Sequence, residues 1–172
     1  MTDIKVGDII CFKGKGPVFT ILSFLLSLCD SGWRKLKWKP WHMSILWQID
    51  TLGCWIMEAT APWVLINYYF WDDLKSKTRF YHWLDEEPTR AKMDEFYNGH
   101  YEKAYDVVIY FWTSLQYLIR HFFNHRIPRL LDDRFTCWEL ASEFCDEMGK
   151  SWQSKYDCPM IVDFLKAVGE IK

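Results

Sequence analysis

No two of the six cysteines, Cys11, Cys29, Cys54, Cys137, Cys145 and Cys158, stand at CxxC spacing, and no cysteine-histidine cluster has zinc-finger spacing. That argues against a structural metal. His121 and His125 form an i, i+4 pair, but no Glu follows the first in an HExxH arrangement and two ligands are too few. No metal and no cofactor are therefore expected. No secretory signal precedes the first expected strand, and no apolar run reaches the ~20 residues that a membrane span requires. Val18 to Cys29 is bounded by a Gly14-Gly16-Pro17 turn and by Asp30-Ser31-Gly32, which fits a core or surface-lying helix. Val107 to Phe123 is interrupted by Gln116 and Arg120 and reads as part of a largely buried helix. Half of the residues are apolar, enough for a core without disulfide staples, so the expectation is a cytoplasmic chain with reduced thiols. Neither sign of charge dominates, since the net charge is −2, and nothing in it calls for nucleic acid. The local run Arg34, Lys35, Lys37 and Lys39, with Trp33 and Trp38, reads as a solvated or interfacial loop before it reads as a phosphate site.

What the chain has in excess is rings: 11 Trp, 9 Tyr and 12 Phe. Such side chains bury large areas and keep a polar tip, which suits wide cores, peptide or lipid grooves and interfaces. Linkers, repeats and low-complexity tracts are missing, so residues 1–172 read as one domain. Val6 to Phe12 is a short turn leading into a strand. His42 to Ile49 and Cys54 to Ala59 form a hairpin around Asp50-Thr51-Leu52-Gly53, and Trp63 to Phe70 and Arg79 to Trp83 are further strands. After Glu86-Glu87-Pro88 the pattern is helical to about Asn124. A break at Pro128 and the acidic Asp132-Asp133 precede another helix, and Cys158 to Val168 closes with a last short one. The expected class is α+β, a small antiparallel sheet packed against helices.

Thr136-Cys137-Trp138-Glu139 reads as a capping box, in which the Thr hydroxyl accepts from the Glu amide and the Glu carboxylate accepts from the Thr amide. From it runs the apolar stripe Cys137, Leu140, Ala141, Phe144, Cys145 and Met148, with Gly149 as C-cap. A thiol at a helix N-terminus faces unpaired amides and the positive end of the helix dipole, which favour thiolate over thiol. The competing reading of Cys137 is a small buried hydrophobe at the head of the stripe. In the hairpin, His42 opens one strand and Glu58 lies near the end of the other, and loop parity decides whether they share a face. A cysteine hydrolase needs a nucleophile, a base and a polar group to orient that base, and Cys137, His42 and Glu58 supply the three. Gln48 and Asp50 are the alternatives for the third place. His82 sits in the aromatic strand Phe80-Tyr81-His82-Trp83 and His100 follows Asn98-Gly99, while His42 taken alone reads as a satisfied structural histidine before it reads as a base, and only the order of the surrounding motifs raises it.

In order along the chain, Val6-Gly7-Asp8-Ile9-Ile10-Cys11-Phe12, Trp41-His42-Met43-Ser44-Ile45-Leu46, Ile56-Met57-Glu58-Ala59 and Thr136-Cys137-Trp138-Glu139-Leu140 resemble the permuted NlpC-type papain-like cysteine amidases, the YiiX and YaeF group. That group is related in fold to lecithin retinol acyltransferase-like proteins. The resemblance implies a permuted papain-like fold with Cys137 as nucleophile, His42 as base and Glu58 as the orienting group. Trp41, Thr136 and Trp138 stand where the family pattern has Ser, Tyr and Ser, and a Tyr105-Asp106 pair is similar to one seen there. The implied activity is a cysteine-dependent hydrolase, amidase or peptidase, or an acyltransferase, working through a thioester on a cell-wall peptide or an acylated, lipid-like substrate. Peripheral contact with membrane or lipid is compatible with that substrate class. The alternative is a binding or structural protein on the same scaffold, without turnover.

Overall fold

The computed structural model describes residues 4–60, 63–101, 103, 107–124, 136–152 and 160–171. The Tyr105-Asp106 pair, His125, the Pro128 break, Asp132-Asp133 and Cys158 lie outside them. Five strands form one antiparallel sheet: β1 (Ile9–Lys13), β2 (Pro40–Ile49), β3 (Gly53–Thr60), β4 (Trp63–Phe70) and β5 (Thr78–Tyr81). Their order is β4-β3-β2-β1-β5. Seven helices accompany the sheet among the described residues: α1 (Pro17–Cys29), α2 (Ser31–Lys35), α3 (Trp71–Leu74), α4 (Arg90–His100), α5 (Val107–Phe123), α6 (Cys137–Glu147) and α7 (Ile161–Ala167). The class is thus α+β with an antiparallel sheet. No helix among the described residues is long and apolar enough to cross a membrane.

Alternation along the strands sorts side chains into two unequal cores. Ile9, Cys11, Met43, Ile45, Trp47, Met57 and Ala59 belong to the larger one, with Leu140, Ala141 and Phe144 of α6. Ile10, Leu46, Cys54 and Ile56 close a smaller cluster with Leu74 of α3. Strands covered on both faces lose the apolar-polar alternation, which is why β1 and much of β2 read as continuous apolar runs.

Three elements differ from the sequence expectation. The basic aromatic run begins in a helical turn, α2, because the Asp30 carboxylate accepts from the Trp33 amide at 2.9 Å and caps it. The long helical stretch divides into α4 and α5, with Tyr101 as the C-cap of α4. The expectation of a largely buried helix for Val107 to Phe123 holds at Tyr117, but Leu115, Phe122 and Phe123 are exposed.

The hairpin explains how one residue of register sets the site. Near the turn Gln48 pairs with Trp55, and beyond a β-bulge the pairing becomes Leu46 with Ile56 and Ile45 with Met57. Trp47 is the inserted residue, and its ring packs into the larger core beside Tyr97. Had the pairing at the turn continued unchanged, Glu58 would stand opposite Ile45 and point away from His42. The bulge advances it by one residue, so that continuing the register sets Glu58 opposite Ser44, diagonal to His42 on the same face.

Candidate active site

Helix α6 begins as its sequence predicts. Thr136 Oγ1 accepts from the Glu139 amide at 3.3 Å, and Glu139 Oε2 accepts from the Thr136 amide at 2.8 Å and from its hydroxyl at 2.9 Å. Thr136 is completely buried, so this capping box is held inside the protein rather than at its surface. At the other end Gly149 takes a φ of +84°, where a side chain would be strained, and Lys150 donates to the Cys145 carbonyl at 2.9 Å. The helix packs on β2 and β3, and its first residue, Cys137, is 1 % exposed.

His42 stands between that thiol and a carboxylate. Its Nε2 lies 2.8 Å from Glu58 Oε2. The Cys137 thiol lies close enough to act on the same imidazole electrostatically. With Nε2 committed to the carboxylate, Nδ1 is the nitrogen left for another partner. Burial alone would lower the His42 pKa. Cys137 first, and then the charge and hydrogen bond of Glu58, outweigh it and raise the value to about 10. With Glu58 held ionised, Nε2–H is the donor to its carboxylate. The Phe12 ring, 5.6 Å away between centroids and paired across β1, limits its movement.

Glu58 is 3 % exposed and fully engaged. Oε1 accepts from Asn67 Nδ2 at 2.9 Å and from the Tyr69 hydroxyl at 2.6 Å, while Oε2 faces His42. Burial opposes its ionisation, but the His42 hydrogen bond and charge, followed by Tyr69 and Asn67, hold the carboxyl below its ordinary value. Burial and the bond to Glu58 push the Tyr69 phenol up, so it remains a donor. Asn67 and Tyr69 are absent from the sequence reading. They face Glu58 because β3 pairs with β4 with Glu58 opposite Leu65, placing positions 65, 67 and 69 on its face. Their only sequence signal is two polar tips at i, i+2 in an otherwise apolar strand.

The other candidates have different partners. Asp50 accepts from Thr51 Oγ1 and the Leu52 amide within its own turn, and Gln48 accepts from Arg90. Asp8 engages His82 at 2.8 Å, and His100 pairs with Glu143 at 2.9 Å while stacking on Phe96. No group of three or more metal-ligating side chains occurs among the described residues.

An open cleft of about 870 Å³ lies against this site, lined by Phe12, Lys13, Lys15, Trp41, His42 and Tyr69 among others. Cys137 is not among its lining residues. Burial raises the Cys54 thiol to about 11 and drives Cys11 and Cys145 upward as well. No known family's sequence profile matches this chain, and no curated protein matches it.

Proposed function

We propose that the protein is a cysteine-dependent acyl-transfer enzyme, a hydrolase or acyltransferase acting on an amide or ester, on a permuted papain-like fold. The observation that carries this reading is the His42–Glu58 pair at 2.8 Å, with the Cys137 thiol at the start of α6 acting on the same imidazole, brought together from a helix start and two strands distant in sequence. A doubly protonated imidazole is the charge partner that a thiolate needs, and a carboxylate on its far nitrogen fixes the ring's orientation.

In the proposed reaction the Cys137 sulfur attacks the substrate carbonyl, and electrons collect on its oxygen. The backbone N–H of Cys137, in the first turn where amides lack intrahelical partners, is the candidate donor to that oxyanion. Collapse expels the amine or alcohol, which takes the proton from His42 and leaves a thioester. Water or an acyl acceptor then gives a proton to His42 as it attacks, and the thiolate is released. Glu58 stays ionised throughout, held by Asn67 and Tyr69. The acidic product, or the transferred acyl group, leaves through the cleft beside His42.

A second reading, a binding or structural protein on this scaffold, is favoured by the near-complete burial of Cys137. The two separate on exposure to p-nitrophenyl esters of graded acyl length followed by intact-mass analysis. The enzyme reading predicts an adduct of one acyl group on Cys137, absent from Cys137→Ala and accumulating in His42→Ala only slowly. Folded protein that acquires no adduct and releases no nitrophenol from any ester supports the scaffold reading instead.

A further inference from the structure

Helix α1 has no charged residue, and apolar side chains surround most of it. Leu22 and Leu26 are buried with Ser23, whose oxygens accept from the Trp33 indole, and Phe19 packs edge-on against Trp41. On the other side Val18, Ile21, Phe24 and Leu28, spaced to fall on one face, are 42 %, 62 %, 62 % and 55 % exposed. A helix that is apolar nearly all round normally lies within a core or a membrane. Here half of it meets solvent, and α5, which contacts α1, adds exposed Leu115, Phe122 and Phe123. Isolated exposed apolar residues need no explanation, but four on one helix face, with three more on a helix that contacts it, do.

The surrounding charge identifies what would cover this face. From Ile9 to Ile49 the basic residues are Lys13, Lys15, Arg34, Lys35, Lys37 and Lys39. The single acidic residue in that span is Asp30, which is buried, caps α2 and pairs with Lys166. Lys13 and Lys15 immediately precede α1, and Arg34 and Lys35 lie in α2, which packs on it. The exposed apolar stripe is therefore flanked at both ends by positive charge, although the whole chain carries −2. Apolar side chains that enter the acyl boundary, beside cations that meet headgroups, are the two components of interfacial membrane binding. A second copy of this chain would bring the same cations against themselves.

We propose that the exposed face of α1, extended by α5, is a docking surface for an anionic phospholipid bilayer. Lys13 and Lys15 line the cleft beside His42 and also lead into α1, so docking brings the mouth of that cleft toward the lipid surface. The docking itself does not depend on the chemistry proposed for Cys137.

The test is co-sedimentation with vesicles of phosphatidylcholine containing about a third phosphatidylglycerol, compared with phosphatidylcholine alone. Wild type is expected to sediment with the anionic vesicles and to be largely released at about 1 M salt, where screening shortens to ~3 Å. Lys35→Gln/Lys37→Gln should lower the partition coefficient by roughly tenfold or more, since each surface cation contributes about fivefold. Ile21→Gln/Phe24→Gln, at two exposed positions, should lower it comparably with little change in the melting curve. Cys137→Ala should bind as wild type does, which separates this result from the outcome of the acyl-adduct experiment. Absence of binding to anionic vesicles overturns the proposal, as does binding unchanged in both double variants. Concentration-dependent dimerisation by light scattering, abolished by Ile21→Gln/Phe24→Gln in a protein that ignores vesicles, would assign the face to a second copy instead.

Discussion

Replacing Thr136 tests whether the buried capping box is what presents Cys137. Thr136→Ala removes the hydroxyl that accepts from the Glu139 amide and donates to its carboxylate, and it also removes a buried methyl. The cap contributes about 1 kcal/mol, and a buried methyl about another 0.8 kcal/mol. The expected loss is therefore about 2 kcal/mol, or a fall in Tm of roughly 4–8 °C for a domain of this size. Thr136→Ser keeps the hydroxyl and loses the methyl, so it should lose only about 1 kcal/mol. The difference between the two variants, read from urea unfolding, isolates the cap. The Ala variant should also alkylate more slowly at Cys137 than the Ser variant, because the first turn that holds the sulfur against His42 is loosened. Equal stability and equal reactivity in the two would refute the assignment of the helix start to this box.

Glu58→Gln should cost about 2 kcal/mol near neutral pH, the scale of a hydrogen bond to a charged group. Because the Glu58 carboxyl is held below its ordinary 4.5, that contribution is present above 4.5 and lost as pH falls through its lowered value. The His42 share runs the other way, fully present below 6.5 and lost as pH rises through about 10. The stability gap between wild type and this variant should thus be widest at intermediate pH and close toward both ends, and a pH-independent gap would contradict the ion pair. Tyr69→Phe should shrink the Glu58 contribution and raise the pH at which it is fully lost on the acid side, because one of the donors holding Glu58 ionised is removed; urea midpoints across the acid range measure it. Gly53→Ala should destabilise by about 1–3 kcal/mol in the same assay, since its Cβ would meet the Tyr69 carbonyl oxygen across the β3–β4 pair.

Local features were readable in the sequence and long-range ones were not. The capping box could be read because its partners are three residues apart, and Gly149 marks the end of the same helix by its positive φ. His42 and Glu58 could be named, but not their shared face, because that depends on the bulge at Trp47, which has no turn signal of its own. Asn67 and Tyr69 were missed because their role follows from the β3–β4 register. The exposed half of α1 was hidden for another reason. When apolar residues occupy nearly every position, periodicity no longer distinguishes the inward face from the outward one.

The most direct test of the central claim is the pH dependence of iodoacetamide labelling, followed residue by residue by mass spectrometry, in wild type and His42→Ala. In wild type Cys137 should label at neutral pH well ahead of Cys11, Cys54 and Cys145, whose thiols burial keeps protonated. His42→Ala should abolish most of that advantage in protein that is still folded at the labelling temperature, although its melting temperature falls with loss of the pair to Glu58. Cys137 labelling that follows an ordinary thiol and is indifferent to loss of His42 would contradict the catalytic account.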